Sequence, residues 1–245
     1  MGLLNTITYK RKMKTHQKLF PIILLVVSMH ASAQDSGEDD LGAWYMVFNT
    51  SKISEKLSIH AEAQFRFFET VSNFNQLLLR TGLNYHISNN AIATFGYGYI
   101  NTDGTFEDFP GEENSNEHRI FEQFILKNKV GKFAFEHRYR IEQRFIDFGD
   151  RTDTQHRGRY RIQITFPIDN HWFLNAYDEV FINFQEPIFG QNRLYGAVGY
   201  KFDKDISIQL GYLKNHFTGI NFDRLQLAIF INTDLRNKKQ KVTKS

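Results

Sequence analysis

Ser58, His60 and Glu62 stand two residues apart in one stretch of the chain. These are the residue types of an acyl-transfer site: a hydroxyl nucleophile, an imidazole base and a carboxylate to orient the base. On an extended strand all three side chains share a face. Neighbours on that face start about 7 Å apart, which is too far for a direct hydrogen bond. A hydrolase built here needs a partner from another strand; otherwise the row is simply a polar face. A larger set recurs at even spacings: Glu62, Arg66, Arg80, Glu136, Arg138, Arg140, Glu142, Arg144, Arg157, Arg159, Arg161, Glu179 and Lys201. Guanidinium groups grip carboxylates and phosphates in a fork. The set therefore reads as an internal salt-bridge network, or as a path that favours anions.

Other chemistry is thin. The acids Asp103, Glu107, Asp108, Glu112 and Glu113 crowd one segment but match no calcium-loop spacing. No phosphate loop, dinucleotide fingerprint or zinc motif occurs, so no cofactor is expected. With no cysteine there is no disulfide scaffold, thiolate metal site or lipidated cysteine.

The elements that carry these residues alternate with a period of two. In Leu57 to Phe67, the residues Leu57, Ile59, Ala61, Ala63, Phe65 and Phe67 form one row, and Ser58, His60, Glu62, Gln64 and Arg66 the other. Similar segments run over 76–87, 91–100, 118–128, 133–145, 156–166, 172–184, 192–202, 206–214 and 222–231. Only 118–128 is ambiguous in its facing, because Glu122 and Gln123 are adjacent. That makes ten strands from Leu57 to Ile231, with both ends on one side of the sheet. A further short segment, Trp44 to Asn49, is a possible eleventh strand. The turns at 88–90, 129–132, 167–171 and 203–205 are short, whereas those at 101–117, 147–154, 185–191 and 215–221 are mostly longer. Alternation of short and long turns predicts an up-and-down antiparallel transmembrane β-barrel of 10–12 strands, with short turns in the periplasm.

Period-two alternation also suits a soluble ligand-binding barrel of the lipocalin kind, with its apolar row inside. The membrane reading is favoured by strands of roughly 10–13 residues, the length of a tilted spanning strand. Tyr85, Tyr99, Trp172 and Tyr200 near strand ends suit interfacial girdles. The strands also outnumber a lipocalin's eight. Apolar residues then face lipid and the charged set faces the bore.

The N-terminus supports secretion. Lys10, Arg11, Lys12, Lys14 and Lys18 precede the apolar run Phe20 to Met29, and Ala31-Ser32-Ala33 offers a cleavage site. Residues 1–33 read as a signal peptide, Met13 onward being sufficient by itself, with Gln34 as the mature start. Residues 34–40 read as a disordered acidic leader, 41–235 as the barrel and 236–245 as a basic tail. Setting aside the five basic residues of 1–33 leaves 25 basic against 27 acidic, a net charge of −2. Nucleic-acid binding loses its electrostatic support.

The segments 116–145, 156–168, 177–184 and 192–202 resemble a bacterial family catalogued as domain of unknown function 2490. In that family a charged, Gln-containing pattern recurs around a hairpin, matched here by Glu117-His118-Arg119 and by His137-Arg138 to Arg144. The resemblance implies a secreted Gram-negative protein with an outer-membrane barrel. It implies no activity, cofactor or catalytic residue.

The expected function is that of a non-enzymatic outer-membrane barrel, structural or passing small solutes and anions, with membrane lipid as its partner. Its rivals are an outer-membrane lipid-modifying enzyme and a soluble periplasmic binder of apolar ligands.

Overall fold

A computed structural model describes residues 36–107 and 113–236, and it is all-β. The signal segment, Gln34 and nearly all of the basic tail lie outside the described residues. Eleven strands follow one another: β1 (Leu41–Lys52), β2 (Leu57–Phe67), β3 (Phe74–Ser88), β4 (Ala91–Thr102), β5 (Ser115–Val130), β6 (Phe133–Asp147), β7 (Thr152–Pro167), β8 (Trp172–Asn183), β9 (Phe189–Lys201), β10 (Ile206–His216) and β11 (Asn221–Asp234). Each pairs antiparallel with its sequence neighbours, and β1 closes the barrel on β11.

The segment expected as Trp44 to Asn49 is a full twelve-residue strand. Its addition has a geometric consequence. In an up-and-down chain of odd strand number, the first and last strands run the same way, so closure requires a parallel pair. β1 and β11 are that pair, in register from Leu41↔Asp223 to Lys52↔Asp234. Closure leaves no unpaired edge, the feature that otherwise invites aggregation. The parallel ladder is slightly weaker per residue than the antiparallel ones.

The ten later strands begin and end on one side, as their even count demands. With β1 included, however, Leu41 lies at the end bearing the 103–114 connection and Asp234 at the opposite end. The strands also run further than the apolar alternation. The connections expected at 147–154, 185–191 and 215–221 shrink to 148–151, 184–188 and 217–220. Backbone ladders need no apolar side chains, so polar residues such as Thr152 and Asp153 extend them.

The two rows separate cleanly. Val47, Phe65, Leu79, Leu83, Phe95, Ile141 and Leu210 lie on the outer wall, each more than a third exposed. Glu62, Arg80, Arg140, Glu142, Arg159 and Glu179 are buried. Aromatic rings cluster toward both rims of the outer wall. At the short-turn end Trp172 meets Tyr200 at 4.9 Å and Phe133 meets Phe166 at 5.1 Å. At the other end Tyr45 meets Phe67 at 5.9 Å and Tyr99 meets His118 at 5.7 Å.

The interior departs from the expectation of a uniformly polar row. Trp44, Met46, Tyr195, Leu213 and Ala228 pack together inside, with Phe48, Tyr177, Ala197 and Phe230 against them. The β9–β1 side of the bore therefore carries an apolar patch, set among polar residues such as Gln191, Arg193 and Gln226, whereas the interior ion pairs gather on β2–β8.

Candidate functional site

Strand register determines which charges meet. Glu62 lies directly across β2–β3 from Arg80, and Glu142 across β6–β7 from Arg157. The resulting contacts are Arg80 to Glu62 at 3.0 Å and Arg157 to Glu142 at 2.5 Å. The same register sets like charges opposite each other, Arg138 against Arg161 and Arg140 against Arg159. Facing like charges are destabilising, and each of these arginines turns to a glutamate instead. Arg138 reaches Glu179 at 2.6 Å, and Arg161 reaches Glu136 at 2.7 Å. Arg159 bridges Glu142 at 2.7 Å and Glu179 at 2.8 Å. Arg140 donates to Gln123 at 2.6 and 2.9 Å and approaches Glu142 at 3.5 Å.

Glu142 is wholly buried and is the hub, within ion-pair reach of Arg119, Arg140, Arg157 and Arg159. Arg144 joins through Glu117 at 2.8 Å. Aromatic rings floor the network: Phe121 lies 4.9 Å from Arg140, and Phe181 lies 4.2 Å from Arg159. Such faces partly compensate a cation for lost water.

Two members of the expected set stand apart. Lys201 is exposed at the short-turn rim, its ammonium 5.4 Å from the Phe173 ring, and it joins no ion pair among the described residues. Arg66 is buried but bonds to Gln64 and Gln76 rather than to a carboxylate. Glu117, Arg119 and Arg193 belong to the same interior and lie outside the charged set expected from the sequence, where Glu117 and Arg119 enter only through the family resemblance. Glu117 and Arg119 sit on β5, whose facing was masked by Glu122. That residue is exposed on the outer wall, where Gln143 donates to it at 3.1 Å.

The expectation that same-row neighbours cannot bond directly is corrected. His60 Nε2 lies 3.1 Å from Glu62 Oε2, and Arg119 Nε lies 2.5 Å from Glu117 Oε1. Long side chains lean along the strand and close the gap. Ser58, by contrast, finds its histidine across the strand pair: Ser58 Oγ is 2.9 Å from His86 Nε2, and Asn84 donates to the same hydroxyl at 3.1 Å. Ser58 is 1% exposed and His86 beside it is half-buried. Of the acidic loop, Asp108 and Glu112 lie outside the described residues. Asp103 accepts from the Thr105 amide at 3.2 Å. Among the described residues no three His, Asp or Glu side chains are grouped to hold a metal.

The charged strands and the apolar patch line a cavity of about 940 Å³. Among the described residues eleven arginines and one lysine line it, against four glutamates, with Glu142 beneath them. The acids present cannot neutralise that many cations, so the space is electropositive.

The chain matches the family described as "Protein of unknown function (DUF2490)" over residues 41–226. No curated protein matches it. Among solved structures, the NanC porin aligns at 10% identity with a TM-score of 0.44, covering 71% of this chain and 86% of that one. The siderophore receptor PirA from Pseudomonas aeruginosa aligns at 10% identity with a TM-score of 0.33, covering 71% of this chain and 34% of the receptor.

Proposed function

This chain belongs to that family of proteins of unknown function, and from its own geometry we propose that it is an outer-membrane barrel of a Gram-negative bacterium whose bore admits small anions. The observation that carries the reading is the surplus of arginine around a cavity of about 940 Å³. A network meant only to fill the bore can balance its charges; this one leaves cations uncompensated, and buried cations without partners are costly unless water or an anion joins them. Electropositive rings of Arg and Lys favour anions in pores. The outer wall supports that location. A continuous band of exposed apolar side chains with aromatic rings at both rims is the surface a bilayer requires of a closed barrel, and the basic-then-apolar pattern of residues 10–33 reads as a secretion signal.

The test is conductance in a planar bilayer under a KCl gradient. The reading expects steps whose reversal potential has the sign of chloride selectivity. Cation selectivity would remove the anion reading, and a silent membrane would leave a structural barrel. Recovery of the protein as a detergent-free soluble monomer would turn the case to a soluble binder. One observation favours a second reading, an enzyme: the Ser58–His86 contact of 2.9 Å. Lipid turnover by purified protein, lost in His86→Ala, would establish it.

A further inference from the structure

The cationic surplus is not spread evenly. Among the described residues lining the bore, Arg66, Arg193 and Arg224 have no carboxylate within ion-pair distance; Arg224, near one mouth, donates instead to the Asp40 and Asp223 carbonyls at 3.3 and 2.9 Å, whereas Arg66 and Arg193 lie together. Both stand over the ring of Trp44, Arg66 at 3.8 Å and Arg193 at 4.8 Å. Arg193 Nε is buried without a hydrogen-bond partner. Gln226 faces Trp44 directly across the β1–β11 pair, is 3% exposed, and its Nε2 is likewise unpartnered.

Two guanidinium groups thus stand over one indole, with an unpartnered amide on the paired residue of the next strand and no carboxylate within ion-pair reach of either arginine. The chain has a glutamine here, where a glutamate at the same position would have neutralised the arginines internally. Next to this corner is the apolar cluster of Met46, Tyr195 and Leu213. Planar guanidinium forks match a carboxylate, and an apolar patch beside charged donors is the composition of an oriented small-molecule site.

We propose that Arg66, Arg193 and Gln226 form a binding subsite beside Trp44 for a carboxylate that carries an apolar or aromatic body. The inference deepens the anion reading of the bore and rests on it for access from solution. The carboxylate takes the unpartnered Arg193 Nε and Gln226 Nε2 and the charge of Arg66, whose guanidinium is held in place by Gln64 and Gln76, and its body lies against the apolar cluster.

Trp44 and Trp172 are the two tryptophans, so a Trp172→Phe background makes Trp44 the sole reporter. The protein in detergent is titrated with benzoate, acetate and benzyl alcohol while Trp44 emission is followed. Saturable change with benzoate is expected at concentrations about tenfold below those for acetate, with none for benzyl alcohol. Arg193→Gln should weaken benzoate about tenfold. Gln226→Glu supplies the missing carboxylate from within, so it should abolish the benzoate response and raise the unfolding temperature, a readout that holds even where Arg193→Gln fails to fold.

Equal responses to benzoate and acetate would overturn the apolar-body assignment. A response to benzyl alcohol, or full benzoate binding in Gln226→Glu, would overturn the subsite. Chloride-selective conductance with an unresponsive Trp44 would sink this inference alone and leave the passage reading intact. A responsive Trp44 in a silent bilayer would do the reverse.

Discussion

At the scale of single residues, Glu142 has the most consequence. Its carboxylate is wholly buried and serves four arginines at 2.5–3.7 Å. Removing one partner of a buried ion pair strands the others in low dielectric, at a cost of about 3–5 kcal/mol. Glu142→Ala should lower the unfolding free energy in lipid vesicles by that order, read from urea titration, whereas Lys201→Ala at the exposed rim should leave it nearly unchanged. In the turn after β7, Asp169 accepts from the amides of Trp172 and His171, both at 2.7 Å, and these bonds hold its carboxyl below the ordinary 3.8. Because the folded value is depressed, the charged cap persists at neutral pH and is lost as pH falls through the lowered value. The amide resonances of Trp172 and His171 should titrate with a midpoint below 3.8; a midpoint at or above it would mean the cap is absent. The even-spaced charges were legible in the sequence because a polar row declares itself. Their pairings were not, since they depend on register: Ser58 meets His86 rather than His60, and Glu117 and Arg119 were hidden by the outward Glu122.

At the scale of elements, the strands were read well wherever apolar and polar residues alternate. They were misjudged where alternation stops but the backbone ladder continues, as at the start of β7. β1 was the hardest, because Trp44 and Met46 are large apolar residues on the inner row and blur the alternation that marks the other strands. The inner wall also relies on glycine in a way that spacing alone does not reveal. Gly96 on β4 lies directly across from Phe121 on β5, and a Cβ there would overlap the Phe121 ring, which is 1% exposed. Gly199 stands in the same relation to Phe173 across β8–β9. Overpacking such a site costs about 1–3 kcal/mol, so Gly96→Ala should lower the urea midpoint, and Gly96→Ala combined with Phe121→Leu should recover part of the loss. On the outer wall, Ile141 lies mid-strand on β6 and is 48% exposed. If hydrocarbon covers that face, Ile141→Arg costs about 2–4 kcal/mol. A wall facing water would tolerate the change, so equal stability of the two proteins in vesicles would refute the orientation.

At the scale of the whole molecule, the odd strand count fixes a relation between the ends that no single strand reveals. Because β1 and β11 run parallel, Leu41 enters the barrel at the end that carries the 217–220 connection, and Asp234 leaves at the end that carries the 202–205 turn. The entering segment is tied down at its own rim: Glu38 accepts from the Asn221 amide at 2.9 Å, and Thr70 donates to the Leu41 carbonyl at 3.1 Å. These bonds are local to one mouth, so they oppose any arrangement that returns residues 36–40 to the far side. The chain has no cysteine, which makes single introduced thiols clean reporters of side. Asp39→Cys and Thr218→Cys, both at exposed positions, should react alike with a membrane-impermeant maleimide, and Lys204→Cys should behave oppositely. If the short turns lie in the periplasm, as the proposed outer-membrane location expects, the first two label on intact cells and the third only after the outer membrane is opened. An inverted barrel would exchange the two patterns yet keep positions 39 and 218 together. Labelling that separates 39 from 218 would mean an even barrel, with β1 withdrawn from the wall and β2 closing on β11. In that case Trp44, and the arginines over it, would not line the bore as they do here.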